Sequence, residues 1–173
     1  MGGILMSLPL VIGLGSHHGD DQAGWLVVSR LRQKQFPEAS LACLQHPAEL
    51  LDVIESGQEL VVCDACSGNE NPGAIHCGIW RPATLVQQRT AEHEGWRQRP
   101  VGDHAIERSR PGSHDLTLFE VMELGYSLNG FPDLVEIWTM EGTAWVPGTE
   151  PSTAIYLAAV RVADLIWEKC RHA

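Results

Sequence analysis

Short apolar runs alternate with amphipathic segments along most of this chain. Continuous apolar runs at residues 8–15 (LPLVIGLG) and 59–66 (ELVVCDAC) are typical of strands buried on both faces of a parallel sheet. Three further segments have strand-like patterns: SLACLQH (40–46), GAIHCGIW (73–80), which suits a sheet edge, and DLVEIWTM (133–140). The pattern therefore predicts five strands.

Four segments between these strands have helical spacing of their apolar residues. They are DQAGWLVVSRLRQK (21–34), PAELLDVIESG (47–57), SHDLTLFEVMELG (113–125) and STAIYLAAVRVADLIWEKC (152–170). In the third we expect Ser113 or Asp115 near the N-cap and Gly125 at the C-terminal end. Ser152 is the expected cap of the fourth. The polar stretch 82–112 is predicted to be a long loop with a short helix.

Strands that alternate with helices predict an α/β fold, a three-layer sandwich around a mostly parallel twisted sheet. A length of 173 residues, without repeats or a linker-like stretch, predicts one domain over residues 1–173. In such sheets ligands bind beyond the carboxyl ends of the strands. Candidate functional residues are therefore sought there.

Composition excludes several classes of function. A formal net charge of −10 argues against nucleic-acid binding, which relies on clustered Lys and Arg. No stretch approaches the ~20 apolar residues of a membrane span, and the N-terminal residues lack the basic region of a signal peptide. Five scattered cysteines do not resemble a secreted disulfide framework. We therefore expect a cytoplasmic protein, and its oligomeric state is not indicated.

The glycine-rich stretch GLGSHHGDDQAGW (13–25) does not fit a dinucleotide-binding loop. That motif needs a third glycine where this chain has His18. The carboxylates of Asp20 and Asp21 would also repel a pyrophosphate at the helix N-terminus. We therefore exclude nucleotide binding.

The Cys63–Cys66 pair does not fit a redox centre. In thioredoxin-like proteins Cys-x-x-Cys opens a helix, whereas here it closes an apolar strand. A zinc site of Cys63, Cys66 and Cys77 lacks a second Cys-x-x-Cys pair, and His76 is interpreted as a core residue of its strand. We therefore expect buried or loop cysteines.

Acidic and imidazole side chains occur at the predicted carboxyl ends of the strands. Asp20 and Asp21 follow the first strand, Asp64 ends the third, and His114 opens a helix after the long loop. Such ligands suit divalent ions such as nickel or zinc. Each residue alone also has an ordinary structural role, in a helix first turn, at a strand end or near a helix cap. Both interpretations remain open on this evidence alone.

Three sequence blocks resemble the [NiFe]-hydrogenase maturation proteases. VIGLGSHHGDDQAGW (11–25) is similar to the opening signature of that family, VVCDA (61–65) to its second block, and GSHDLTLFEVMELG (112–125) to its third. The blocks occur in the family's order and cover most of the chain. Two departures are Ser16, where the family usually has asparagine, and segment 141–155, which does not align cleanly.

The resemblance implies an endopeptidase, of a family grouped with aspartic-type endopeptidases. It would remove the C-terminal extension of a [NiFe]-hydrogenase large-subunit precursor after nickel insertion. By position, Asp21, Asp64 and His114 would be both the catalytic and the metal-contacting residues. The nickel would be the substrate's, with no permanently bound cofactor, and zinc or cadmium could substitute for it. Asp20 would flank the site.

Several questions stay open at this point. Cleavage could use metal-activated water or a pair of carboxylates, for which Asp21 with Asp64 is favoured over the adjacent Asp20. His17 and His18 are extra ligands, substrate contacts or exposed loop residues, and the last interpretation is favoured. An alternative function is a non-catalytic metal-sensing or partner-binding protein on the same fold.

Overall fold

The computed structural model describes residues 8–55, 57–68, 71–83, 116–128 and 130–172. The strands are β1 (Leu10–Leu14), β2 (Leu41–Leu44), β3 (Leu60–Cys66), β4 (Ile75–Trp80) and β5 (Val135–Glu141). The helices are α1 (Ala23–Gln33), α2 (Leu50–Val53), α3 (Leu118–Ser127) and α4 (Thr153–Arg171). Short 3-10 turns precede α1, β2 and α2, at Gly19–Gln22, Glu38–Ser40 and Pro47–Glu49.

The five strands form one sheet in the order β2-β1-β3-β5-β4. The pairs β1–β2, β1–β3 and β3–β5 are parallel, and β4 pairs antiparallel with β5 at the sheet edge. This confirms the predicted mostly parallel sheet. It also places the ends of β1, β3 and β5 along one rim, where a parallel α/β sheet binds its ligands.

Apolar side chains cover both faces of the sheet. On one face, residues of β1, β3 and β5 pack with α1 and α4, and Val27, Ile155 and Val162 are fully buried there. On the other face, residues of the same strands pack with α2 and α3, around Leu50 and Met122. The predicted three-layer α/β sandwich is thus confirmed.

Two glycines let α1 lie directly on the sheet. A Cβ atom on Gly24 would lie 2.3 Å from the carbonyl oxygens of Leu14 and Cys63. A Cβ atom on Gly13 would lie 2.2 Å from the carbonyl oxygen of Gly24. Only residues without a side chain permit this approach. The close contact holds the turn before α1 beside the ends of β1 and β3.

The predicted ends of the third helix are wrong. The N-cap of α3 is Thr117, and neither Ser113 nor Asp115, because Thr117 and Glu120 form a reciprocal capping box. Gly125 lies inside α3, because the helix continues to Ser127. A Cβ atom at Gly125 would lie 2.2 Å from the Phe131 ring. Its lack of a side chain serves packing. The predicted Ser152 cap of α4 is confirmed by its hydrogen bond from the Ile155 amide.

Two predictions concern a part of the chain that lies mainly outside the described residues. The predicted long loop at 82–112 is described only at its first two residues, and His114 is not described. Within the described ranges, none of the helices has the length and apolar character that crossing a membrane requires.

Candidate active site at the carboxyl end of the sheet

Asp21 lies in the turn Gly19–Gln22, directly before α1. Its side chain is partly exposed, and its Oδ2 atom accepts a hydrogen bond from the Ser16 hydroxyl. Since Gly24 packs against the carbonyl of Cys63, the whole turn is held at the end of β3. The sequence therefore places a carboxylate with one defined hydrogen-bond donor at the sheet rim.

Asp64 lies near the carboxyl end of β3 and is buried, at 8% exposure. In the part of the chain that the structure describes, the one hydrogen bond to its carboxylate comes from the Ala65 amide, at 2.8 Å. No described cation forms an ion pair with it. The pKa of Asp64 is raised to about 7, mainly by burial and also by the negative charge of Asp21, whereas the hydrogen bond from Ala65 lowers it.

The turn that carries Asp21 thus lies beside the end of β3, and the charge of Asp21 contributes to the raised pKa of Asp64. A carboxyl group whose pKa lies near 7 can hold or release a proton at neutral pH, as general acid–base catalysis requires. A buried carboxyl group with a strongly raised pKa is also a candidate for a functional residue. The assignment of Asp21, Asp64 and His114 as catalytic and metal-contacting residues stays a prediction.

Asp20 has a different role from its neighbour. It is fully buried, and its two carboxylate oxygens accept hydrogen bonds from the backbone amides of Thr143, Ala144 and Ser152. Burial alone would raise the pKa of Asp20, but these hydrogen bonds outweigh it and lower the pKa. Asp20 therefore stays ionised, and its hydrogen bonds join the loop between β5 and α4 to the turn before α1.

His17 and His18, which precede the turn, are exposed, as the favoured interpretation of the sequence predicted. The His17 ring packs edge-on against Trp25, with 4.8 Å between the ring centroids. The His18 Nδ1 atom lies 2.5 Å from the Ser16 Oγ atom. Because the one hydroxyl proton of Ser16 goes to Asp21, His18 Nδ1 must be the donor to Ser16. The result is a short chain of hydrogen bonds from His18 through Ser16 to Asp21.

None of the five cysteines is in a disulfide. Cys63 is fully buried, and burial raises the pKa of its thiol well above its ordinary value. Burial likewise raises the pKa of Cys66 to about 12. Both are therefore neutral thiols near pH 7, and a neutral thiol is a poor nucleophile. Cys63 and Cys66 thus lack the lowered thiol pKa that a redox-active Cys-x-x-Cys pair has.

One polar group at the same rim was not predicted from the sequence. The side chains of Cys66, His76 and Glu141 each offer a ligand atom, and these atoms all lie within 4.8 Å of one another. The interpretation of His76 as a plain core residue is therefore wrong, since its ring is half-buried beside a thiol and a carboxylate. One feature of the sequence could have indicated this group: Glu141 is an acidic residue at the end of an apolar strand.

Solved structures of hydrogenase maturation enzymes have a similar fold. A [NiFe] hydrogenase maturation protease HycI from Thermococcus kodakarensis KOD1 shares 21% identity over 96% of this chain and 95% of its own, with a TM-score of 0.59. The hydrogenase maturating endopeptidase HybD from Escherichia coli shares 16% identity over 96% and 93%, with a TM-score of 0.60. An endopeptidase from Escherichia coli shares 18% identity over 96% and 93%, with a TM-score of 0.62.

No protein-family model matches this chain, and no curated protein matches it in sequence. The likeness to solved structures nevertheless extends over more than nine-tenths of the chain. It confirms the resemblance that the three sequence blocks indicated. This chain therefore has the fold of the [NiFe]-hydrogenase maturation proteases.

Proposed function

We propose that this protein is an endopeptidase that matures a [NiFe] hydrogenase. It removes the C-terminal extension of a large-subunit precursor once nickel has been inserted. The observation that carries this proposal is the interacting carboxylate pair of Asp21 and Asp64 at the carboxyl end of the sheet. Its setting is the fold shared with proteins named as hydrogenase maturation proteases.

In this proposal the substrate's nickel is recognised by Asp21, Asp64 and His114. Carboxylate and imidazole ligands suit a divalent transition ion, and two buried or part-buried carboxylates supply the negative charge that attracts it. Bringing the metal to Asp64 would also relieve the cost of an ionised carboxylate that has no described cation partner. Cleavage would then depend on the nickel content of the precursor, with no resident cofactor needed for recognition.

The test is to incubate the purified protein with nickel-loaded and nickel-free large-subunit precursor and to follow the precursor mass. We expect loss of the C-terminal extension from the nickel-loaded form. Asp21→Asn, Asp64→Asn and His114→Gln should each lower the rate by at least about a hundredfold. Asp133→Asn changes an exposed aspartate and is the matched control.

Two results would overturn the proposal. One is an unchanged precursor mass with folded protein and nickel-loaded precursor. The other is full cleavage by the Asp21 and Asp64 variants, which would place the chemistry elsewhere. If the precursor binds in a nickel-dependent way but is not cleaved, the alternative is favoured, a metal-sensing or partner-binding protein.

A further inference from the structure

We propose that the chain binds a divalent transition metal ion of its own, of the zinc class, through Cys66, His76 and Glu141. This site lies next to the Asp21–Asp64 pair at the same rim, uses different side chains, and does not depend on the proposed peptidase activity. The three side chains come from β3, β4 and β5, and strand register alone brings them together.

The register of the sheet explains the convergence. Cys66 pairs with Glu141 across the parallel β3–β5 ladder. Two residues earlier on β5, Thr139 pairs with Asp64 on one side and with His76 on the other. Directly paired residues, and residues two apart in a strand, share a face of the sheet. All three proposed ligands therefore project from the same face, at one end of the strands.

The distances suit one ion after a small adjustment. The Cys66 Sγ and Glu141 Oε2 atoms lie 3.3 Å apart, and the three ligand atoms lie within 4.8 Å of one another. In a tetrahedral zinc site, bond lengths of about 2.0–2.3 Å put neighbouring ligand atoms roughly 3.3–3.8 Å apart. The widest separation must therefore close by roughly 1 Å. His76 lies half-buried on the edge strand β4, so a rotation of its side chain is the adjustment that the site requires.

Charge gives an independent reason for a cation here. Glu141 is buried at 3% exposure, and its described hydrogen bonds come from the Gly68 amide and the Cys66 thiol. None of the described ion pairs includes it. A buried carboxylate without a cation is costly. A divalent ion would provide that cation, and the Gly68 bond to Glu141 Oε1 would orient the ligand as outer-shell bonds do.

The ligand set selects the kind of ion. A thiolate, an imidazole and a carboxylate together suit zinc, cobalt or nickel, whereas magnesium and calcium prefer oxygen ligands alone. On binding, the Cys66 S–H bond is replaced by a sulfur–metal bond and the proton passes to solvent. The thiolate and the carboxylate then balance the two charges of the ion, and a fourth position stays open to water or substrate.

The test uses the purified full-length protein, stripped with a chelator and titrated with Co²⁺ and then Zn²⁺, without any precursor. We expect a thiolate-to-cobalt charge-transfer band that saturates at one ion per chain and disappears when zinc displaces cobalt. Cys66→Ser should abolish the band. His76→Gln and Glu141→Gln should weaken binding by at least about tenfold.

Controls separate this site from the rest of the molecule. Cys77→Ser removes the exposed thiol next to His76 and should leave the band unchanged. The double variant Asp21→Asn with Asp64→Asn should also retain it. Circular dichroism of each variant checks folding, and the half-exposed His76 variant keeps the test valid if Cys66→Ser does not fold.

Three results would overturn the proposal. They are the absence of a charge-transfer band in folded wild-type protein, binding that is unaffected by the Cys66 and His76 variants, and loss of binding in the Asp21–Asp64 double variant. The first would show that the cluster is only hydrogen-bonded. The last would place the ion at the acidic pair. None of them decides the precursor-cleavage assay, so the two proposals fail separately.

Discussion

The Oδ1 atom of Asp20 lies 2.6 Å from the backbone nitrogen of Ser152, a residue 132 positions further along the chain. Ser152 is the N-cap of α4, so one buried carboxylate joins the turn before α1 to the start of the last helix. The same carboxylate accepts hydrogen bonds from the backbone amides of Thr143 and Ala144. This arrangement makes Asp20 a structural residue and leaves its neighbour Asp21 available at the rim.

Replacing Asp20 with alanine should destabilise the protein strongly. Asp20→Ala would leave three backbone amides without their acceptor, and each such loss in a buried site costs about 1–3 kcal/mol. We expect the free energy of unfolding to fall by at least about 3 kcal/mol, measured by urea denaturation. Asp133→Ala at an exposed position should change it by less than about 0.5 kcal/mol. Equal effects of the two variants would contradict this role for Asp20.

The raised pKa of Asp64 predicts a pH dependence of stability. Its ordinary pKa is 3.8 and its pKa in the folded protein is about 7, so the folded state favours the protonated carboxyl. The stabilising contribution is complete below pH 3.8 and is lost as the pH rises through 7. Each unit of pKa difference corresponds to about 1.4 kcal/mol.

The comparison that checks this is wild-type protein against Asp64→Asn. The variant cannot ionise at this position, so the free energy of unfolding of wild type, relative to the variant, should decrease steadily between pH 4 and pH 7. Urea denaturation across that range measures it. A difference that does not vary with pH would show that Asp64 titrates at its ordinary value.

The close contact at Gly24 predicts that even one added methyl group is not tolerated there. In Gly24→Ala the Cβ atom would lie 2.3 Å from two backbone carbonyl oxygens, so α1 must move away from the sheet. We expect a loss of about 1–3 kcal/mol in unfolding free energy and, because Asp21 moves with the helix, slower precursor cleavage. In Gly130→Ala the new Cβ atom meets only one atom, at 3.7 Å, and this control should behave as wild type. Matching losses in both variants would rule out the packing explanation.

Ser16 should position Asp21 for its role in precursor cleavage. Ser16→Ala removes the hydrogen bond to the Asp21 carboxylate, and bonds to charged groups contribute about 1.5–3 kcal/mol. We expect the cleavage rate to fall by roughly tenfold or more while the unfolding midpoint stays nearly constant. Ser16→Asn supplies an amide donor and should retain most of the activity. Undiminished cleavage by Ser16→Ala would remove Ser16 from the site.

The parts of the fold that follow from local interactions could be predicted from the sequence. The apolar run before Gly15 and the run that ends at Cys66 are strands, because only burial on both faces accommodates such runs. The predicted Ser152 cap of α4 was confirmed, because a cap depends only on a hydrogen bond between residues three positions apart. The predicted cap of α3 was wrong, because Thr117 and Glu120 form a reciprocal capping box that starts the helix after Thr117.

Only part of the candidate site could be predicted from the sequence. Strand-end position and the resemblance pointed to Asp21 and Asp64, and in the structure the turn that carries Asp21 lies beside the end of β3. The sequence could not distinguish the roles of Asp20 and Asp21, because both are acidic residues of the same first turn. The difference depends on amides of Thr143 and Ser152, which only the folded chain brings to Asp20.

The sequence by itself therefore determined the strands, the layered fold and the acidic residues at the rim, since each follows from nearby residues or from the periodicity of a segment. Tertiary structure alone decided which aspartate is buried and which groups meet across strands. Cys66, His76 and Glu141 converge because β4 runs antiparallel at the edge of a parallel sheet. Register of this kind is set by contacts between distant segments, and no spacing within one segment encodes it.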